Sequence, residues 1–67
     1  MKQFVITYKY RNIYKVTDGV GMTYFIAEPI STAYTTIVTK TADTIELLYK
    51  EIEKDILFTK LHPVKIY

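Results

Sequence analysis

Cysteine is absent from the 67 residues, and with it go disulfides, thiolate zinc sites and cysteine nucleophiles. Small secreted domains ordinarily depend on disulfides, so the expected compartment is the cytoplasm. Histidine occurs once, as His62 beside Pro63, with no ligand partner spaced near it; it reads as a loop residue rather than a base or a metal ligand. Glycine is confined to Gly19 and Gly21. The run Gly19-Val20-Gly21 lacks the later glycine and the lysine that a phosphate-binding loop uses, so it reads as a turn. No apolar run approaches the ~20 residues of a membrane span, and Thr7 and Lys9 break Phe4-Val5-Ile6 well short of a signal-peptide core. Asn and Gln appear once each, a scarcity shared with proteins from hot environments. These absences point away from a cofactor, a metal, a small-molecule substrate and a membrane.

What is present describes one small ordered domain spanning 1–67. Hydrophobic residues make up 49% and charged residues 24%, the balance of a globular chain rather than a disordered one. A formal charge of +2 falls short of the footprint of a dedicated nucleic-acid binder. A chain this short buries only about 60% of the surface its unfolded form exposes, so its stability is expected to need help.

The strongest local signal is Asp18-Gly19, a dipeptide suited to the two-residue hairpin turn in which both central residues take φ > 0. On its N-terminal side Phe4 to Val16 alternates. Phe4, Ile6, Tyr8, Tyr10, Tyr14 and Val16 fall on one face, with Val5, Thr7, Lys9, Arg11, Ile13 and Lys15 on the other. This predicts one long strand, bent near Arg11-Asn12. A two-residue turn sets Thr17 opposite Val20, so the second strand, Val20 to Glu28, places Met22, Tyr24 and Ile26 with Ile13, and Phe25 and Ala27 with the tyrosines. Pro29 ends that strand, Pro29-Ile30-Ser31-Thr32 forms a loop, and Ala33 to Thr39, rich in β-formers, is the third strand.

From Thr41 the period changes. Ile45, Leu48, Tyr49, Ile52 and Ile56 recur at helical spacing, which predicts a helix over Asp43 to Leu57. Its cap is Asp43, with Glu46 completing a capping box, or alternatively Thr41. The carboxylate pairs Asp43/Glu46 and Glu51/Asp55 are explained by capping and by a solvated helix face rather than by acid–base chemistry. Beyond His62-Pro63, Val64 to Tyr67 suits a short edge strand. The predicted class is α+β: an antiparallel three-stranded meander with one helix packed on one face and a short C-terminal edge strand, in the order β-β-β-α-β.

One helix covers one face, so the other face carries the function. The tyrosine row Tyr8, Tyr10, Tyr14 and Tyr34 with Phe25 could stack unpaired bases while Lys9, Arg11 and Lys15 hold phosphates, but alternation sends those cations to the opposite face. The preferred reading puts the tyrosines under the helix. The exposed interface is then Ile13, Met22, Tyr24, Ile26 and Ile37, an apolar centre within a charged rim of Lys9, Arg11, Lys15 and Glu28.

In composition the chain looks like the short, cysteine-free, Tyr/Ile/Lys-rich domains of viruses and mobile elements of AT-rich microbes, a likeness that involves no motif. The expectation is a non-enzymatic interaction module, homodimeric, binding a protein partner such as an enzyme it inhibits. The alternative is a nucleic-acid-binding protein using the basic and tyrosine-rich strands.

Overall fold

The computed structural model describes residues 1–33 and 37–61. Among the described residues it is a small α+β fold, with four antiparallel strands in one sheet and one helix. The strands are β1 (Lys2–Tyr8), β2 (Arg11–Thr17), β3 (Thr23–Pro29) and β4 (Lys40–Ala42), in spatial order β1-β2-β3-β4, followed by α1 (Ile45–Leu61). The suggested final strand, Val64 to Tyr67, lies outside the described residues.

The expected single strand from Phe4 to Val16 is two strands folded back on one another. Tyr8 pairs with Arg11, leaving Lys9 and Tyr10 as a two-residue turn with φ of 47° and 68°. Left-handed backbone costs a side-chain-bearing residue about 1–2 kcal/mol. Contacts around the turn offset that cost. The Arg11 guanidinium donates to the Lys9 carbonyl at 2.6 Å, the Lys9 ammonium pairs with Glu53 of α1, and the Ile30 N–H donates to the Tyr10 carbonyl at 3.1 Å.

β1 also slips by one residue. Phe4 stands opposite Tyr14 but Ile6 stands opposite Ile13, so Val5 is a β-bulge. The bulge sends Phe4 and Ile6 to opposite faces, where plain alternation would have kept them together.

The second hairpin differs from expectation in loop length. Thr17 pairs with Thr23, not with Val20. The Gly21 N–H donates to the Asp18 carbonyl at 3.2 Å, the Asp18 N–H to the Met22 carbonyl at 3.0 Å, and the Asp18 carboxylate takes the N–H groups of Val20 and Met22 at 2.9 and 3.0 Å. This is a β-turn followed by a left-handed residue, the three-residue hairpin loop, and the left-handed residue is Gly21 with φ of 84°. Gly21→Val should therefore cost about 1–2 kcal/mol through the backbone alone, since open space surrounds the site. Gly19 carries no such φ and its Cβ would also meet nothing, so Gly19→Ala should be neutral or stabilise by about 0.4–1 kcal/mol. Urea melts of the two variants check this; equal losses would show that the loop does not depend on Gly21.

Of the expected third strand over Ala33 to Thr39, residues 34–36 lie outside the described residues, and Ile37, Val38 and Thr39 have no regular structure. Among the described residues the strand paired with β3 on this side is β4, where Ala42 lies opposite Phe25 and Lys40 opposite Ala27. The helix begins close to its expected place but under a different cap: the Thr44 hydroxyl accepts the Leu47 N–H at 3.2 Å. Its stripe is as the spacing implies. Leu48 and Ile52 are fully buried against Ile13 and Ala27, and Ile45, Tyr49 and Ile56 pack around them with Tyr8, Phe25 and Ala42. Leu47, Leu57 and Phe58 lie off the stripe and are exposed.

Candidate interaction surface

Pairing and alternation together sort the side chains of the sheet. Ile13, Ala27 and Lys40 share a register row on the helix side, as do Lys15, Phe25 and Ala42. Tyr14, Ile26 and Thr41 form the corresponding row on the other side, with Phe4 extending it on β1. Val16 and Tyr24 pair beside that row, and Lys2 stands opposite Val16. The face away from the helix is thus built from Phe4, Tyr14, Val16, Tyr24 and Ile26. Phe4 is 55% exposed and the other four are partly exposed.

This face is ordered by its own side chains. The Phe4 and Tyr14 rings meet edge to face with centroids 5.8 Å apart. The Lys2 ammonium lies 4.4 Å from the Tyr14 ring centroid and donates to the Glu28 carboxylate at 2.7 Å. That hydrogen bond holds the Lys2 ammonium above its ordinary pKa. The Lys2–Glu28 pair therefore lies across the patch, with its ammonium over the central Tyr14 ring.

The residues expected to form one interface are divided. Tyr24 and Ile26 do lie together on the face away from the helix. Ile13 is fully buried beneath the helix, because the longer loop between β2 and β3 reverses the facing of β2 relative to β3. Met22 sits in the loop, 66% exposed, and Ile37 lies half-buried outside the strands. Phe4, Tyr14 and Val16, which alternation had put under the helix, take the places that Ile13 and Met22 were expected to fill. The signal that could have found them is the spacing of Asp18 and Gly21, which suits a three-residue loop and sets Thr17 opposite Thr23.

The cations expected to meet phosphates are placed as follows. Arg11 is 5% exposed, with its guanidinium 3.4 Å from the Asp55 carboxylate. Lys9 pairs with Glu53, and Lys15 is exposed on the helix side of the sheet. The tyrosine row is divided too: Tyr8 packs on Tyr49 with centroids 4.6 Å apart, Tyr10 is in the turn, Tyr14 is on the open face, and Tyr34 lies outside the described residues.

Tyr8 and Lys9 both donate to Glu53, and that shared carboxylate raises the pKa of each above its ordinary value of 10.0 and 10.5 respectively. A raised folded-state pKa stabilises the protonated form. The contribution is complete below the unfolded value and is lost as pH climbs through the folded one. Stability should therefore decline as pH rises above about 10. Glu53→Gln should flatten that decline, read from melting temperatures at pH 8 to 12; an unchanged alkaline profile would mean that Glu53 does not couple the turn to the helix.

At the β4 edge an open groove of about 720 Å³ is lined by Tyr24, Thr41, Ala42, Asp43, Leu47 and Glu51. Among the described residues no group of three or more His, Asp or Glu side chains is placed to hold a metal ion, and no helix is long and apolar enough to cross a membrane. No protein-family model matches the chain, and no curated protein or solved structure matches it significantly.

Proposed function

We propose that the chain is a non-enzymatic interaction module that docks a protein through the sheet face its helix leaves uncovered. The observation that carries this reading is the aromatic and aliphatic patch of Phe4, Tyr14, Val16, Tyr24 and Ile26, crossed by the Lys2–Glu28 ion pair. Aromatic residues are enriched at protein interfaces, and an ion pair closed within the chain leaves this face without an excess of either sign. Contiguous exposed apolar surface of this kind is uncommon on a chain that works alone.

The nucleic-acid alternative draws on the same aromatics, since Phe4, Tyr14 and Tyr24 could stack bases. It needs cations beside them. Among the described residues the cation on this face is Lys2, already paired with Glu28, while Lys9 and Arg11 are engaged by α1. The charge arrangement favours a protein.

A photo-crosslinking residue at Tyr24, compared with one at Leu57 on the exposed side of the helix, tests the reading in lysate of the producing cells. Protein adducts from position 24 that persist after nuclease treatment and at high salt are the expected result. Adducts that vanish with nuclease or fall steeply with salt would transfer the face to nucleic acid, because phosphate contacts release counterions and apolar contacts do not.

A further inference from the structure

Strand β4 forms one edge of the sheet, and among the described residues no strand lies beyond it. Which of its backbone groups face outward follows from the hydrogen-bond phase of the sheet. In antiparallel pairing the N–H and C=O of one residue point to the same side, and the side alternates along the strand. Thr17 exchanges both bonds with Met1, so the groups of Thr17 face the β1 side and those of Tyr14 and Val16 face β3. The bonds from the Asp18 N–H to the Met22 carbonyl and from the Ile30 N–H to the Tyr10 carbonyl keep that phase. Tyr24 and Ile26 therefore bond toward β2, and Phe25 and Ala27 bond toward β4, where Ala42 and Lys40 stand opposite them. The N–H and C=O of Thr41 are left directed out of the sheet.

Those groups border the open groove of about 720 Å³, which is lined from both sides of the edge. Tyr24 and Thr41 come from the sheet, Leu47 and Glu51 from α1, and Ala42 and Asp43 from the end of β4 and the connection after it. Leu47, 48% exposed, supplies apolar surface. The lining holds two carboxylates and no cation, although the chain as a whole carries a net charge of +2. Asp43 precedes the Thr44 cap, where the helix dipole favours an acid, but Glu51 lies nearly two turns into α1, where that effect is spent. Lys54 approaches Glu51 only to 3.9 Å, with both side chains open to solvent. Such a lining repels phosphates and complements cations.

We propose that this edge takes an extended segment of another protein as a further strand, paired through its backbone to Thr41 and carrying Lys or Arg side chains that meet Asp43 and Glu51. Strand addition draws affinity from main-chain bonds and specificity from the side chains beside them. β4 is three residues long, so a single guest residue exchanges both bonds with Thr41, and contacts with Leu47 and the carboxylates carry the rest. The guest residue opposite Thr41 shares its face, away from the helix; its neighbour opposite Ala42 turns toward Leu47 and Glu51. A cation at that neighbour meets Glu51, and one at the next position meets Asp43. The site is separate from the open sheet face: Tyr24 borders both, but Phe4 and Tyr14 do not line the groove.

Amide NMR of the full chain, titrated with the acetylated and amidated peptide Thr-Lys-Lys-Val-Thr, tests this; laid antiparallel to β4, its Val stands opposite Thr41. The expected result is saturable shifts at Thr41, Asp43, Leu47 and Glu51, with the Thr41 amide exchanging freely in the free chain and slowed on binding. The counterpart Thr-Glu-Glu-Val-Thr should not bind. Thr41→Pro removes the outward N–H at an edge position that tolerates proline, and should abolish binding with the fold retained. Asp43→Asn with Glu51→Gln should weaken binding about fivefold, the worth of two exposed ion pairs, while Leu57→Lys, which changes the charge elsewhere, should leave it unchanged. If Thr41→Pro unfolds the chain, the carboxylate variant and the Thr41 exchange rate decide. Absence of saturable shifts at millimolar peptide overturns the proposal. So does a Thr41 amide already protected in the free chain, because the chain then covers its own edge. Binding that survives Thr41→Pro but not the loss of the carboxylates also overturns it, by making the groove a site for cations without strand addition.

Discussion

Ile13→Lys is expected to unfold the domain, while the same substitution one residue later, Tyr14→Lys, leaves it folded. The two side chains are neighbours on β2 and point to opposite faces. Ile13 is fully buried with Ala27 on the adjacent strand and Leu48 and Ile52 on the helix; Tyr14 is partly exposed on the face the helix does not reach. A lysine at 13 removes a buried aliphatic side chain, a loss of roughly 2–5 kcal/mol, and brings an ammonium onto the face that already holds buried Arg11. The Arg11 carboxylate partner, Asp55, is already committed. A domain of this length has a total stability of only about 3–10 kcal/mol, so the combined loss consumes most or all of it. Far-UV circular dichroism and the dispersion of amide NMR signals distinguish the outcomes. A folded Ile13→Lys beside an unfolded Tyr14→Lys would show that the helix covers the other face.

That pair of substitutions tests the element of the fold that the sequence conveys least well. Helical periodicity needs no register: Ile45, Leu48, Tyr49, Ile52 and Ile56 define the buried stripe by spacing alone, and the structure packs all five as expected. Strand facing depends on turn length, because one residue more or less moves every side chain to the other side. Asp18-Gly19 suggests a two-residue turn, yet the Asp18 carboxylate holds the N–H groups of Val20 and Met22, and Gly21 supplies the left-handed residue, which lengthens the loop. β3 keeps its expected facing, with Phe25 and Ala27 toward the helix, while β2 is reversed. Lys9-Tyr10 offers no local turn signal at all. Its backbone is held by partners distant in sequence, Glu53 and Ile30 among them, and by Arg11 next to it. Which side chains share the face away from the helix therefore followed from two loops whose geometry tertiary contacts complete.

Ile52→Ala should lower stability by roughly 2–5 kcal/mol, the range for truncating a fully buried aliphatic side chain whose surroundings close only partly over the gap. Ile52 has no exposed surface and lies with Leu48 in one buried cluster with Ile13 and Ala27 of the sheet. Its cavity cannot be refilled cheaply from the sheet, since Ala27 is small and Ile13 is held in β2 between β1 and β3. Alanine is also the better helix former, which returns only a few tenths of a kcal/mol and leaves the loss dominated by packing. Leu57→Ala is the matched control on the same helix. Leu57 is 57% exposed, so its truncation should change stability by less than about 0.5 kcal/mol. Both are read from urea unfolding, with the midpoint expected to fall for Ile52→Ala and the slope to stay constant. Equal effects at the two positions would deny the helix a buried stripe, and with it the assignment of one covered and one open sheet face.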